Sequence, residues 1–489
     1  MARTIAELPK GTRITDYISL GVLTTMFPLS QVKAVLAAQG RASQRQRELP
    51  AHMVVYYVIC LALFMQVSYR EVLRCLLEGW VWLWGPGQAV KVTGKSGISQ
   101  ARTRLGWDVM RQLHEEVVKP IAAETTKGAW YRRWRLVSLD GSTLEVADEK
   151  ENEQAFGRPS ASRGASAYPQ IRFVSLVENG THVLFGTRLA NYATGEITLA
   201  REVIPALRKG MLCLADRNFF GFALWNQARG RGADLLWRVK KNLRLRVEQR
   251  LPDGSYLSRI YASERDGRHR SHGVTVRVMD YQLEGIAEAE PIYRLVTTIL
   301  APAEGPAEEL AALYHERWEI ETALDELKTH LRGAKIVLRS KTPDLVRQEF
   351  YGFLLAHFAV RGLMHEAALR AGEDPDRLSF VHAVRVIRRK LPLYGAIPPS
   401  GEEGILCIGA GGNLAGTGRL KSMAPQPARG EAQDEQLPAA PASGLFECSH
   451  RNLRMPQNHK VNSIGVKPKL STLPEQELLP LPRHASSEV

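Results

Sequence analysis

Residues 130–240 constrain the fold more than any other stretch, because the hydrophobic period changes there repeatedly in one fixed order. RLVSLDGSTLEV, PQIRFVSLVE and HVLFGTRLA are short runs rich in apolar and β-branched residues, and they read as three strands. EITLAREVIPALRKG has helical spacing and stops at Gly210. MLCLAD reads as a buried strand, FGFALWNQARGRG as a helix and ADLLWRVK as another strand. Three strands, a helix, a strand, a helix and a strand is an order that few topologies satisfy. It places Asp140 at the close of the first strand and Asp216 at the close of the fourth. Two carboxylates would then meet at one sheet edge.

A third carboxylate comes from YHERWEIETALDELKTHLRG, expected as one helix over 306–332 that ends at Gly333. Arg317, Glu321 and Lys328 follow Tyr314 by three, seven and fourteen residues. At about 100° per residue these four side chains share an arc of roughly 60°. Leu313, Ile320, Leu324, Leu327 and Leu331 form a core stripe beside them. The helix would pack on the sheet and still present Glu321 to Asp140 and Asp216. Carboxylates of this kind suit Mg²⁺, a hard cation that takes oxygen ligands. Two such ions about 3.5–4 Å apart activate an attacking oxygen and stabilise a leaving one. Asp140, Asp216 and Glu321 are therefore the candidate catalytic and metal-ligating residues. Asp140 would be shared by the two ions, and Mn²⁺ would substitute. Glu145 and Asp148 follow Asp140 too closely on one strand to converge with it.

The spacing Tyr-x2-Arg-x3-Glu-x6-Lys, with DGSTLEVAD around Asp140 and LADRNFFG around Asp216, resembles the DDE transposases of bacterial insertion sequences. Within these it is similar to the insertion-sequence-four group, over roughly residues 15–390. The resemblance implies a ribonuclease-H-like α/β catalytic core with a β-rich insertion, which is also the fold that the strand order suggests. It implies cut-and-paste transposition through a hairpin at each excised end. The partners would be double-stranded DNA, both terminal inverted repeats and target, with a homodimer on paired ends. Two rivals are a different endonuclease on the same fold and a non-catalytic DNA-binding protein derived from a transposase. The former leaves the Tyr-Arg-Glu-Lys quartet without a purpose.

Composition agrees with a polyanionic partner. The 489-residue chain carries a formal net charge of +14. Five scattered cysteines without a C-x-x-C pair argue against a disulfide framework or a structural zinc site, and for a reducing cytosol; the resemblance implies that this is a bacterial cytoplasm, at the nucleoid. The longest apolar run, Met53–Val67, falls short of the ~20 residues a membrane span needs and reads as a buried helix. No membrane partner is expected.

Six segments follow: an N-terminal arm (1–30), an all-helical DNA-binding domain (31–128), the first part of the core (129–240), a β-rich insertion (241–304), the last core helix with C-terminal helices (305–395), and a Pro-, Ala- and Gly-rich disordered tail (396–489). The insertion shows alternating strands, with turn signals at Asp253-Gly254 and Asp266-Gly267. In the helical domain the segment SGISQARTRLGWDVM starts a helix bearing Arg102 and Arg104. It is either the exposed recognition helix of a helix-turn-helix or one face of a plain bundle. Arg317 and Lys328 are candidate phosphate ligands, as are Tyr314 and Arg217. Trp318 either stacks on a displaced base or is a core-edge aromatic. Lys240 and Lys241 either follow the DNA backbone or end a solvated strand.

Overall fold

In the computed structural model, the described residues are 21–44, 49–84, 94–161, 164–165, 168–240, 242–283, 290, 292–333, 336–385, 387 and 466–467. Nearly all of the segment expected as a tail, and Lys241, lie outside them. The described residues form two units, those within 1–235 and 316–459, and those within 236–315 and 460–489.

The first unit opens with helices α1 (Gly21–Met26), α2 (Leu29–Ala38), α3 (Ala51–Leu63), α4 (Tyr69–Trp84), α5 (Lys95–Leu105) and α6 (Asp108–Val117). Helix therefore begins inside the segment expected as an arm. Every residue of α3 from Met53 to Leu63 is buried. A helix apolar on all sides has to be enclosed, and α3 packs on the 29-residue helix formed by Pro343–Ala371. A Cβ at Gly352 would lie 2.7 Å from Val58 Cγ1 and 2.9 Å from its carbonyl oxygen, so only glycine allows that approach. This interlock explains why the helical segment and the α/β segment form one unit rather than two domains.

The α/β part contains β1 (Trp130–Tyr131), β2 (Trp134–Glu145), α7 (Lys150–Phe156), β3 (Ser160–Ala161), β4 (Gly164–Ala165), β5 (Gln170–Glu178), β6 (Val183–Asn191), α8 (Glu196–Val203), β7 (Met211–Ala215) and α9 (Phe222–Arg229). β8 (Asp234–Arg238) carries the chain into the second unit. The main strands run in the order β6-β5-β2-β7. β5 is antiparallel to both β2 and β6, whereas β7 is parallel to β2. This is the expected ribonuclease-H-like core with a mixed sheet. One detail differs. Asp140 does not end its strand, because pairing with β5 continues to Glu145 after β7 has stopped at Ala215.

The second unit is antiparallel: β9 (Gln249–Arg250), β10 (Tyr256–Ile260), α10 (Glu264–His269), β11 (Val274–Leu283), β12 (Tyr293–Thr297) and α11 (Ala307–Tyr314). Its buried Arg277 ties the loops together by hydrogen bonds to Asp253, Ser255 and the Gly305 carbonyl. The Asp253-Gly254 turn is present, with Gly254 at φ +83°. Asp266-Gly267 is not a turn. It lies within α10, because the Ser263 hydroxyl caps the helix by accepting from the Asp266 amide.

The helix expected over 306–332 is not uniform. After α11 comes a 3₁₀ turn, His315–Arg317, then α12 (Trp318–Asp325), then a π-helical turn, Glu326–Leu331. α13 (Pro343–Ala371) follows, ending at Gly372 in the left-handed region.

Candidate functional site

Register brings the first two carboxylates together. Leu139 on β2 is paired in parallel with Ala215 on β7, and Asp140 and Asp216 are the residues immediately after that pair. They start side by side on neighbouring strands. Asp216 Oδ1 accepts from the Arg217 amide, the first turn of the loop that follows β7.

Glu321 is delivered by α12. Ile320, Ala323 and Leu324 are buried on one side of this helix, and Glu321 lies beside them, partly exposed. Arg317 joins the two elements: its guanidinium donates to Asp140 Oδ2 at 3.3 Å and to Glu321 Oε1 at 2.9 Å. Lys328 reaches the same strand, donating to Ser142 Oγ at 2.9 Å. Residues 140 and 142 share a face of β2. Asp140, Glu321, Arg317 and Lys328 thus converge as the sequence implied, even though the intervening helix is irregular.

The electrostatics fit a cation site. Burial pushes the Asp140 carboxyl up to about 6, against the pull of Arg317 and the Gly141 amide, and the charges of Glu321 and Glu196 raise it further. Burial lowers the Lys328 amine from its ordinary value, with Arg332 adding to the effect. The donor set consists of carboxylate oxygens, which suits a hard divalent ion. Asp140, Asp216 and Glu321 are not drawn into one tight cluster here; the Arg317 guanidinium stands between two of them.

Glu196 was not singled out by sequence. It opens α8, and a Cβ on Gly141 would come within 3.1 Å of its carboxylate. The only hint was a glycine directly after Asp140, which leaves room for that approach. Ser142, the partner of Lys328, was likewise visible only as part of DGST.

Other candidates fall differently. Trp318 is 47% exposed. Arg217, Lys240 and Arg104 are exposed. Arg102 is not. It is 3% exposed and donates to Gln348 Oε1 at 2.8 Å, Ser340 Oγ at 3.0 Å and the Leu345 carbonyl at 3.2 Å. The expectation of an exposed DNA contact is corrected: α5 turns Arg102 inward, where its fork satisfies the start of α13. Tyr314, expected as a phosphate ligand on one helix stripe with Arg317, Glu321 and Lys328, is also buried, at 5%, with its ring edge-on to His315. The 3₁₀ turn after it breaks the 100° spacing on which that stripe relied.

The comparisons with known proteins follow this geometry. Residues 134–359 match the transposase DDE domain, and residues 17–115 match the insertion element 4 transposase N-terminal region. The chain belongs to the insertion-sequence-four family of DDE transposases. This transposase is 28% identical over 375 residues to the transposase InsG for insertion sequence element IS4 of Escherichia coli (strain K12), covering 75% of this chain and 82% of that protein. It is 25% identical over 213 residues to the putative transposase InsZ of the same organism, 43% of this chain and 68% of that protein. A cryo-EM structure of a piggyBac transposase synaptic complex with hairpin DNA aligns over 87% of this chain and 89% of that one. Its TM-score is 0.40 and its identity 12%, too loose a likeness to place any residue. The protein is a DNA transposase, an enzyme of DNA strand cleavage and transfer, and as such a DNA-binding protein that depends on a divalent metal. No helix among the described residues is long and apolar enough to cross a membrane.

Proposed function

We propose that this transposase excises its element by hydrolysis at terminal inverted repeats, closes a hairpin at each end, and joins the freed ends to target DNA. It would act at the nucleoid in the cytoplasm as a homodimer on paired ends. The observation that carries the site assignment is the Arg317 guanidinium bridging Asp140 to Glu321, with Asp216 on the adjacent parallel strand. Asp140, Asp216 and Glu321 would hold two Mg²⁺ ions, or Mn²⁺ in their place, which supply oxygen activation and charge neutralisation when bound.

The chain's own residues account for the rest. Arg317 offers two parallel donors, a match for the oxygens of a phosphate. Lys328 adds a point charge beside Ser142. Arg217 stands next to Asp216, where the phosphate of the cleaved strand would lie. Exposed Trp318, adjacent to Arg317, is placed to stack on a base displaced when the hairpin forms. Lys240 in the second unit and Arg104 on α5 would contact the duplex backbone outside the site.

Alanine at Asp140, Asp216 or Glu321 tests the assignment. Nicking of a terminal-repeat duplex in Mg²⁺ should disappear while gel-shift affinity stays near that of the unaltered protein. Cleavage persisting within about tenfold of the unaltered rate removes the substituted residue from the site, since a lost metal ligand costs far more.

A further inference from the structure

A second group of metal-capable side chains lies apart from the cleavage carboxylates. His182 Nε2, a Glu319 carboxylate oxygen and an Asp376 carboxylate oxygen all lie within 4.8 Å of one another. Nε2 is 3.2 Å from Asp376 Oδ1 and 3.9 Å from Glu319 Oε2. The His182 side chain is only 4% exposed, yet Nε2 makes no hydrogen bond. Its other ring nitrogen, Nδ1, is 3.3 Å from Glu326 Oε1. With Nδ1–H donating to that carboxylate, Nε2 is the unprotonated ring nitrogen and lies beside the two acids. Proteins commonly orient an imidazole for a cation by such a carboxylate behind the ring.

Charge gives an independent reason. Glu319, Glu326 and Asp376 bring three acids to one place, and Glu316 and Asp374 add their charge to Glu319. Arg361 pairs with Glu326 at 2.9 Å and lies 3.9 Å from Asp376. An added cation suits so acidic a group. Access exists as well, because the Asp376 side chain is 33% exposed while His182 and Glu319 are enclosed.

We propose that His182, Glu319 and Asp376 bind one borderline divalent cation, of the zinc or manganese class, at a site separate from the cleavage carboxylates. One imidazole nitrogen with two carboxylate oxygens suits these ions and leaves positions for water. The site joins the turn before β6, the first turn of α12 and the segment just after α13. Glu319 is two residues before Glu321, so the two side chains leave α12 on roughly opposite sides. An ion on Glu319 therefore fixes the helix from behind while Glu321 pairs with Arg317. Glu319 also accepts from the Gly180 amide, which holds its carboxylate in place.

The competing account is that a second proton on His182 does the work of the cation. Full-length protein carrying Asp140→Ala, Asp216→Ala and Glu321→Ala removes the cleavage site from the count. After zinc loading and desalting, this protein should retain about one zinc per chain by mass spectrometry. Its melting midpoint should rise with zinc. Adding His182→Gln or Asp376→Asn should remove both the retained zinc and the zinc-dependent rise. Asp376→Asn is the gentler change, at a partly exposed position, and should leave the zinc-free midpoint unaltered. Absence of both retained zinc and a zinc-induced shift in the triple variant overturns the proposal without any further substitution. Full retention in both added variants overturns it equally.

Discussion

Arg102→Ala separates an architectural arginine from a DNA contact. The side chain donates to Gln348, Ser340 and the Leu345 carbonyl, and Ser340 in turn donates to Glu349. Removing the guanidinium leaves Gln348 Oε1 and the Leu345 carbonyl without that donor in a dry place. At about 1–3 kcal/mol for each buried acceptor left unpaired, and with the lost packing of the Arg102 stem, the cost is about 3 kcal/mol. For a unit of this size that corresponds to roughly 6 °C in melting midpoint. Arg104→Ala, two residues on and exposed, should change the midpoint by less than about 1 °C. Scanning calorimetry of both variants, beside gel shifts on terminal-repeat and random duplexes at two salt concentrations, gives the comparison. If Arg102→Ala melts with the unaltered protein yet loses affinity for the repeat, the inward placement of Arg102 is wrong.

Three other outcomes are expected. The ring of His114 is fully buried against the Leu184 carbonyl, and burial pushes it down to about 3, whereas the unfolded chain protonates near 6.5. Its contribution to stability is complete above pH 6.5 and is lost as pH falls from 6.5 toward 3, by about 1.4 kcal/mol per unit; urea titrations at pH 7.5 and 5.0 should show a drop that His114→Gln reduces by about 2 kcal/mol, and an unchanged drop would mean the ring is already charged when folded. Trp318→Ala should slow hairpin closure 5- to 100-fold while leaving the first nick unaffected, from the ~1–3 kcal/mol of a stacked base; time courses resolving nick and hairpin would contradict this if both slow together. Gly180→Ala, at φ +77° with its Cβ 2.6 Å from the Lys127 carbonyl and 2.7 Å from the Ala129 amide, should destabilise by more than about 3 kcal/mol in chemical denaturation, and a near-neutral result would mean that this turn is not as drawn.

Period and spacing disclosed the core because its strands are apolar runs, and packing did not overrule those preferences. The order of strands and helices along the chain was readable for the same reason. Arg102 was not readable. A basic residue on a short helix suggests an exposed face, and only the distant Ser340 and Gln348 reveal that it faces inward. Tyr314 misled because the 3₁₀ turn after it has no sequence mark. Asp266-Gly267 misled because Ser263, three residues earlier, made a cap out of what looked like a hairpin turn. In the site, Asp140, Arg317, Glu321 and Lys328 could be named from spacing, whereas Glu196 and His182 depend on contacts between segments more than fifty residues apart.

The π turn at Glu326–Leu331, closed by the Arg332 amide reaching back to the Leu327 carbonyl, contains more residues per turn than the helix before it. It works as a splice, letting the parts on either side keep separate rotational phase. Upstream, the phase is set by Ile320 and Leu324; downstream, by Leu327 and Leu331. Closing an ordinary α-helix here at unchanged chain length would rotate the downstream side chains by about 100°. Lys328 would swing away from Ser142, and Leu331 out of the core, while Glu321 stayed where it is. The converse holds for a chain whose glutamate and lysine are one residue closer together: with a regular helix in place of the splice, its lysine could still reach the same strand. Spacing between those two residues is thus a property of the turn as much as of the chemistry.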